Sequence, residues 1–533
     1  MSSTKQEMIN ELERRVADKI LEPTNADFLK KWIAKADNDN EAIMIAALGT
    51  TYKRTGLHFD KRLEKMSNTI KYFKKNETLS FHTDDDKPTH KLIIGDNYEA
   101  LQNLLIQYRG KVNVIYIDPP YGKDSMGEFA ATNYNNAITR DNLLSMLYPR
   151  LQLAKQLLSD DGVIFCSIDD RNQAYVKCLF DEVMGEGNFV ANIIRISTKR
   201  VKGDAKAINQ IHDYVLLYGK SEYSEIVHRL KEDFAIYELE DEYVKERGRH
   251  LIRPLDNGSI NYSIAADYTI KAPDGTDIYA GGDKNARDVR ISGKASKKDW
   301  CFRWSESKLK WGIEHGFIVF KKTNEKWRCY FKIYQFVDNN LNPTEKYDNH
   351  LSVIDGHYNN QGTTEVKSVF GKTVFDYPKP IGLIKELVSM CPREDCIVLD
   401  FFAGSGTTGE AILDYNKDKK TNKQFILCTL NEKTDANPNG IAYDVTSKRL
   451  KRIMTGECYD GTKDFKWLEK NDPYGGNLDV YEIESVANFE STTKNTPFDV
   501  IDETLYRKEK FKKLQEKIEW VCENFNNAQK VVE

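Results

Sequence analysis

The sequence predicts an α/β fold with a doubly wound, mostly parallel sheet, an inserted α+β domain, and helical additions at both ends. Short runs of β-branched and apolar residues, such as 111–117 and 162–168, alternate with amphipathic helical patterns. This alternation stops near residue 222 and resumes near residue 369. A chain of 533 residues is also too long for one compact core, so we expect several domains.

The individual elements follow from hydrophobic spacing. The first 75 residues are charged and have helical periodicity, with Met8, Leu12, Val16 and Ile20 on one face. Beyond them the pattern predicts, in order, strands at 91–94 and 111–117, a helix at 142–158, a strand at 162–168, a helix at 173–184, a strand at 214–218, a helix at 381–390, strands at 396–399 and 424–430, a helix at 445–454, and a charged helix at the end.

These elements group into five predicted segments. They are a helical N-terminal segment (1–75), the first half of the α/β domain (76–221), an inserted domain rich in aromatic and basic residues (222–368), the second half of the α/β domain (369–460), and a C-terminal extension (461–533).

Composition excludes several classes of protein. The net charge is −4, and no apolar run reaches membrane-spanning length. The N-terminus is polar and lacks the apolar segment of a signal peptide, so we expect a cytoplasmic protein with no membrane association. The nine cysteines form no CxxC pair, so we expect neither a metal site nor a disulfide framework.

A glycine-rich loop follows the strand at 396–399. Residues 404–409 match GxGxxG, which usually indicates a dinucleotide. However, Asp400 at the strand end would repel a pyrophosphate and suits a cationic amino group, and Phe402 can pack beside a ligand. S-adenosylmethionine, which is zwitterionic and has no phosphate, fits this loop better. The alternative is a glycine turn that only serves strand–helix packing. The predicted cofactor-binding residues here are Asp400, Phe402, Ala403, Gly404, Ser405 and Gly406.

A second motif, Asp118-Pro119-Pro120-Tyr121, ends the strand at 111–117. Methyl transfer to an exocyclic amine requires acceptors for its two N–H groups, and the Asp118 carboxylate and the Pro119 carbonyl can supply them. The prolines bring no competing N–H donors, and the Tyr121 ring offers a surface on which a base can stack. The alternative is a turn that merely terminates the strand.

With both motifs in this order, the chain resembles the β group of DNA amino-methyltransferases and is similar to the Mod subunits of type III restriction–modification systems. The stretches that carry the resemblance are VIYIDPPYG, LLSMLYPRLQLAKQLLSDDGVIFCSIDD, HDYVLLYGKS, and YPKP followed by LDFFAGSGTTGEA.

The resemblance implies methyl transfer from S-adenosylmethionine to adenine N6 in duplex DNA, after the base is flipped out. It implies catalytic roles for Asp118, Pro119, Pro120 and Tyr121, and makes 222–368 a target-recognition domain. It also implies cofactor-pocket positions outside the loop, a homodimer, and a restriction subunit as a possible partner. The cofactor-pocket positions are Asp96, Asn97, Lys379 and Pro380. Apart from the resemblance, an acid for the cofactor's ribose is expected at the end of the strand at 424–430, where Glu432 is the nearest carboxylate and Thr429 and Asn431 are its neighbours.

Two basic stretches are candidates for DNA contact. Residues 195–206 hold five Lys or Arg against one acid, and residues 284–310 hold nine against three. We expect the first to be a mobile loop that becomes ordered on DNA, although both stretches could equally be solvated surface. The candidate DNA-binding residues are Lys199, Arg200, Lys202, Arg303 and Arg328.

Four other functions remain open from the residues. They are cytosine-N4 methylation, whose enzymes more often begin the tetrapeptide with Ser, RNA amino-methylation, a non-catalytic DNA-binding specificity subunit, and a dehydrogenase. A GxxxxGK[ST] phosphate loop is absent from the sequence, so we expect no ATP-driven motor, and DNA cleavage would need a partner protein.

Overall fold

The computed structural model of the chain divides into two compact units, one formed by Met1–Glu225 with Ser352–Glu533 and the other by Ile226–Leu351. No helix in the described part of the chain is long and apolar enough to cross a membrane. The described residues are 3–17, 21, 23–48, 69–121, 139–200, 208–224, 226, 229–230, 236–345, 347–391, 393–487 and 496–527.

The N-terminal segment begins with three helices, α1 (Ser3–Ala17), α2 (Pro23–Lys35) and α3 (Asp39–Leu48). They enclose a small core of their own around Leu12 and Ile33. The predicted helical character therefore holds for these residues. It is wrong for Thr69–Lys75, which form strand β1, because alternating β-branched and aromatic residues there favour an extended backbone.

The first half of the α/β domain alternates strands and helices as predicted. Its elements are β2 (Phe81–His82), β3 (Thr89–Ile94), α4 (Asn97–Tyr108), β4 (Val112–Ile117), α5 (Thr139–Leu157), β5 (Leu158–Ile168), α6 (Gln173–Met184), β6 (Phe189–Ile196) and β7 (His212–Gly219).

The unit Ile226–Leu351 is a mixture of short helices and antiparallel strands. Its buried core contains Phe302, Trp304, Phe317 and Phe331, and its largest sheet has the order β14-β15-β9. Its elements are β8 (Arg229–Leu230), α7 (Val244–Arg247), β9 (His250–Pro254), β10 (Asp256–Asn257), β11 (Ile270–Lys271), β12 (Asp277–Ile278), α8 (Lys284–Val289), β13 (Cys301–Phe302), α9 (Glu306–Glu314), β14 (Ile318–Thr323), β15 (Lys326–Tyr334) and β16 (Tyr347–Asp348).

The chain then returns to the larger unit at residue 352, so 352–368, which the sequence pattern grouped with the insert, lies in the larger unit. A π-helical segment, Ala442–Ser447, leads into one of its helices. The elements are β17 (Val353–Ile354), α10 (Asn359–Phe370), α11 (Ile381–Ser389), β18 (Ile397–Asp400), α12 (Thr407–Lys419), β19 (Gln424–Thr429), α13 (Lys448–Thr455), β20 (Asn477–Ala487), α14 (Pro497–Val500) and α15 (Leu514–Asn527).

The main sheet has the order β1-β20-β3-β19-β18-β4-β5-β7-β6-β17, with β2 also paired to β20. The consecutive pairs from β20 to β5 are parallel, whereas β1 is antiparallel to β20 and β7 is antiparallel to both β5 and β6. The predicted doubly wound, mostly parallel fold is confirmed. The C-terminal segment is part of it, since β20 lies between β1 and β3.

A buried tyrosine, Tyr506, contacts the edge strand β1 of this sheet. Tyr506 donates a hydrogen bond to Asn103 Oδ1 (2.7 Å) and accepts one from the Phe73 backbone N–H (2.8 Å). Its ring also stacks on Phe73, with centroids 5.6 Å apart. The hydroxyl therefore satisfies an N–H of edge strand β1 that would otherwise be available to another chain.

We predict that Tyr506→Phe lowers the free energy of unfolding of the larger unit by about 1–3 kcal/mol, because a buried N–H and a buried amide oxygen lose their partner. Urea denaturation followed by near-UV circular dichroism measures the change. Tyr223→Phe is the matched control, since Tyr223 is 68% exposed. Equal midpoints for both variants would contradict the assigned role.

Candidate active site

The two sequence motifs meet because their strands are neighbours in the sheet. β18 pairs in parallel with β4, with Val398 opposite Val114 and Leu399 opposite Ile115. Asp400 ends β18, and Asp118 directly follows β4, so both acids lie at the same edge. Within the sheet, β4 is followed by β5 on one side, and β18 is followed by β19 on the opposite side. Such a switch point opens a crevice at the carboxyl ends of the strands.

The Asp118 carboxylate has two partners. Lys379 Nζ lies 2.6 Å from Asp118 Oδ1 and donates a hydrogen bond to the Tyr121 hydroxyl at 2.7 Å. The Tyr121 hydroxyl also donates to Asp118 Oδ1. Asp118, Tyr121 and Lys379 thus form one closed hydrogen-bonded group, in which the lysine ammonium offsets the aspartate charge.

Tyr121 is fixed from its backbone as well. Asn172, just before α6, donates to the Tyr121 carbonyl oxygen at 2.6 Å. Burial, and then the negative charge of Asp118, raise the pKa of Tyr121 well above its ordinary value. The hydroxyl therefore stays protonated and acts as a donor to Asp118.

Lys379 and Pro380 reach this group from the second half of the domain. Pro380 is the N-cap of α11 and has an extended backbone, and its ring disfavours a helical conformation at the preceding Lys379. The sequence suggested that this pair flanks the cofactor pocket. In the structure the ammonium instead contacts the tetrapeptide, and the cofactor-binding role of both residues stays a prediction.

Asp400 is only 2% exposed and lies at the base of the glycine-rich loop. Its Oδ1 accepts from the Phe402 backbone N–H (2.9 Å) and its Oδ2 from the Thr408 hydroxyl (2.5 Å). Burial raises the pKa of Asp400 to about 7; the two hydrogen bonds oppose this shift, and the charge of Asp118 adds to it slightly. A cationic ligand beside this carboxyl would favour its ionised form.

The loop itself needs glycine at two positions. Gly404 and Gly406 have φ of +46° and +79°, a region that other residues rarely adopt. The Ala403 N–H donates to the Cys428 carbonyl (3.1 Å), and the Thr446 hydroxyl donates to the Gly404 carbonyl (2.6 Å). β19 and the π-helical segment therefore hold the loop from two sides.

A fully buried arginine, Arg449, is hydrogen-bonded to the same loop. Arg449 Nε pairs with Glu410 Oε2 at 2.7 Å, and its Nη1 donates to the Ser405 carbonyl at 3.1 Å. Trp467 Nε1 donates to the other Glu410 oxygen at 3.0 Å. Because each group is buried with a charged or polar partner, the cluster fixes the course of the loop at Ser405.

Asp96 and Asn97 connect the loop to the first half of the domain. Asn97 Nδ2 donates to the Phe401 carbonyl (2.8 Å) and its Oδ1 accepts from Arg150 Nε (2.5 Å). Asp96 caps α4 and pairs with Arg150 at 3.1 Å. Both residues predicted from the sequence thus lie beside the glycine-rich loop.

Glu432, the predicted ribose contact, follows the end of β19. Its backbone carbonyl accepts from the Ile441 N–H at 2.8 Å. The neighbouring Asn431 has its side chain bonded to the backbone of Ala442 and Asn439. These contacts fold the segment after β19 into a turn, and the ribose-binding role of Glu432 stays a prediction.

The candidate DNA-binding cations differ in their surroundings. Lys199 pairs with Asp355 at 3.2 Å, and Arg328 pairs with Asp256 at 3.1 Å. Arg200 and Arg303 have exposed side chains. Lys202 lies outside the described residues, as does most of the predicted loop beyond residue 200.

Several supporting residues were not identified from the sequence. Thr408 could have been identified, because a hydroxyl in the first turn of the helix that follows Asp400 can reach the Asp400 carboxylate. Arg449, Glu410 and Asn172 carry no such signal, since their partners are distant in the sequence.

Comparison with protein families gives two matches. A family model described as DNA methylase matches residues 112–435, which is more than half of the chain and includes both motifs. A second model, described as an uncharacterised conserved protein, matches residues 4–114.

Three curated proteins are similar over most of this chain. The StyLTI Mod subunit of a type III restriction-modification enzyme from Salmonella typhimurium is 29% identical over 65% of this chain and 53% of its own length. The EcoPI Mod subunit from Escherichia phage P1 is 29% identical over 70% of this chain and 63% of its own length. The type II methyltransferase M.KpnI from Klebsiella pneumoniae is 27% identical over 72% and 90%. The chain thus spans just over half the length of the first relative.

We predict that Arg449→Met lowers the free energy of unfolding by about 3–5 kcal/mol, because it leaves the Glu410 charge buried without its partner. Thermal unfolding measured by calorimetry tests this. The control Arg449→Met/Glu410→Gln removes both charges and keeps an acceptor for Trp467, so it should recover part of the loss. A single variant as stable as the parent would contradict the prediction.

Proposed function

The chain belongs to the DNA methylase family, and from that premise we propose that it transfers a methyl group from S-adenosylmethionine to adenine N6 in duplex DNA. The observation that carries the proposal is the meeting of the two motifs, with Asp118 and Asp400 at adjacent strand ends. In this proposal Asp118 holds the substrate amine, and Asp400 holds the cationic cofactor.

Asp118 and Pro119 form the proposed acceptor pair for the substrate amine. When both N–H groups donate, one to the carboxylate and one to the carbonyl, the nitrogen lone pair is turned out of conjugation with the base and toward the methyl group. Tyr121, held by its hydroxyl and its carbonyl, gives the base a fixed ring to stack on. Positioning is then the main catalytic contribution of these residues.

The residues around Asp400 fit S-adenosylmethionine. A nearly inaccessible carboxyl whose pKa is raised to about 7 by burial gains from a cationic amino group. A pyrophosphate would be repelled by the same carboxylate, so the dinucleotide alternative is disfavoured. Asp400, Phe402 and the backbone of 403–406 would hold the cofactor.

S-adenosylmethionine supplies an electrophilic methyl group on a sulfonium that becomes a neutral thioether when the methyl leaves. The amine nitrogen contributes its lone pair to the new C–N bond, and the electron pair of the broken C–S bond stays on sulfur. The nitrogen then carries a positive charge, and Asp118 or water takes its proton. No metal ion is required for this balance.

The choice of adenine rests on Asp118 at the first position of the tetrapeptide, since cytosine-N4 enzymes of the resembled group more often have Ser there. We further propose that Ile226–Leu351 reads the DNA sequence, because this separate unit is inserted between the two motifs and contains the basic stretch 284–310. The similarity to Mod subunits supports a role in restriction–modification. We further propose a restriction subunit as partner and a homodimer as the working form.

The test of the proposed function is single-molecule sequencing of DNA from a methylation-free bacterial host that expresses the chain. We expect N6-methyladenine at one short motif. N4-methylcytosine at a motif would establish the alternative target base, and unmodified DNA from cells that contain folded protein would reject the methyltransferase proposal.

We predict that Asp118→Ala lowers methyl transfer at least about 10²-fold, since it removes a positioned acceptor of the amine. Incorporation of radiolabelled methyl into phage λ DNA measures the rate, and calorimetry measures cofactor affinity, which should stay within about twofold of the parent because Asp118 does not line the glycine-rich loop. Substantial turnover by this variant would remove Asp118 from the mechanism.

We predict that S-adenosylmethionine binds about tenfold more tightly at pH 7.0 than at pH 5.5, because Asp400 with a pKa of about 7 loses its charge as the pH falls. Below pH 7 the cofactor's own amino group stays protonated, so Asp400 is the group that titrates. Calorimetric titration at both pH values gives the ratio. Asp400→Asn should bind weakly and with little pH dependence, and a flat profile for the parent chain would contradict the prediction.

A further inference from the structure

The closed group of Asp118, Tyr121 and Lys379 has a consequence for substrate binding. Asp118 Oδ1 already accepts from both Lys379 Nζ and the Tyr121 hydroxyl, so a substrate amine is left with Oδ2 of this carboxylate. The lysine ammonium also offsets the carboxylate charge, which weakens Asp118 as an acceptor. The amine nitrogen becomes positive during transfer, and a neighbouring ammonium opposes that charge. Movement of Lys379 away from Asp118 as the amine binds would relieve both effects.

A second carboxylate lies nearby with a free acceptor. Asp213 is the second residue of β7, whose first residues lie at the same sheet edge as the end of β5, because Ile168 pairs with Tyr214. It is 8% exposed, and among the described residues no donor reaches its Oδ1. A buried carboxylate oxygen without a donor is costly, and so its presence calls for an explanation.

Arg195 fixes Asp213 but cannot serve that free oxygen. Arg195 Nη1 pairs with Asp213 Oδ2 at 2.8 Å. Its Nε and Nη2 are committed to the His357 carbonyl at 3.1 and 2.8 Å, and Nη2 also donates to Asn359 Oδ1 at 2.7 Å. Arg195 therefore fixes the position of Asp213 and leaves its Oδ1 free to accept a hydrogen bond from another donor.

Lys379 is the candidate donor for this oxygen. Asp118, which Lys379 contacts, and Asp213 lie on either side of β5, since Ile117 pairs with Cys166 and Ile168 with Tyr214, so their strands are roughly 10 Å apart. Burial raises the pKa of Asp213; the charges of Arg195 and then Lys379 lower it, and that of Asp118 raises it. Lys379 also has a long flexible side chain with three N–H donors, two of which are engaged by Asp118 and Tyr121.

We propose that Lys379 moves from Asp118 to Asp213 Oδ1 when the substrate amine binds, and that Asp213 is the positioning residue that receives it. The inference rests on the proposed function. In the free protein the ammonium neutralises Asp118. In the substrate complex it neutralises Asp213 instead, and Asp118 becomes a full acceptor for the amine.

The test is a double-mutant cycle on initial rates of methyl incorporation into phage λ DNA. Asp213→Asn keeps the shape and one oxygen for Arg195, but it presents an N–H donor where the ammonium should dock. We expect it to lower kcat about tenfold with unchanged cofactor affinity. In the Lys379→Met background the same change should have less than about a twofold effect, because no ammonium needs to be received.

Asp170→Asn is the matched control, a carboxylate just after β5 whose Oδ1 accepts from the Tyr214 hydroxyl at 3.0 Å and which should leave the rate unchanged. An equal tenfold loss in both Lys379 backgrounds would show a merely structural role and overturn the proposal, as would no loss from Asp213→Asn. Failure of the proposed function is a different result, since the parent chain would then incorporate no methyl group at all.

A second measurement uses the parent chain without any substitution. A structure of the parent chain with sinefungin and a duplex carrying its sequenced motif should show Lys379 Nζ within hydrogen-bond distance of Asp213 Oδ1. Lys379 still bonded to Asp118 beside a bound base, or Asp213 Oδ1 held by water alone, would overturn the proposal.

Discussion

The parallel pairing of β4 with β18 is the contact on which the site depends. The two strands are far apart in the sequence, with the whole unit Ile226–Leu351 between them, yet they are neighbours in the sheet. Because both are buried and parallel, their ends coincide within one strand spacing of about 5 Å. The position of Asp118 relative to the glycine-rich loop is therefore set by the hydrogen bonds between these strands, and the inserted unit can vary without disturbing it.

Three carboxylates and two cations determine the balance of charge in the crevice. Asp118, Asp213 and Asp400 face two cations, Lys379 and Arg195, and Arg195 is wholly committed to Asp213 and the segment after β17. One negative charge is left over, at Asp400, where it is deeply buried and its pKa is raised. The proposed cationic cofactor would complete this balance of charges.

The sequence predicted the sheet well because parallel strands buried on both faces give continuous apolar runs, as in 112–117 and 397–400. It also placed Asp118 and Asp400, since each directly follows such a run. It missed β1 and the place of β20, because charged and aromatic residues alternate in these outer strands and their pairing is decided by partners far along the chain. The supporting residues Arg449, Asp213 and Asn172 were out of reach for the same reason: their roles come from tertiary contacts.

The position of β20 also bears on how the protein is made. β20 is synthesised after both motifs, but it lies between β3 and β1, which leave the ribosome early. Until residue 487 has emerged, β3 has an open edge and β1 has no partner in the main sheet. The crevice residues are therefore all present in the nascent chain before the sheet that supports them can close. The crevice therefore reaches its final form only when β20 docks, after both motifs have been synthesised.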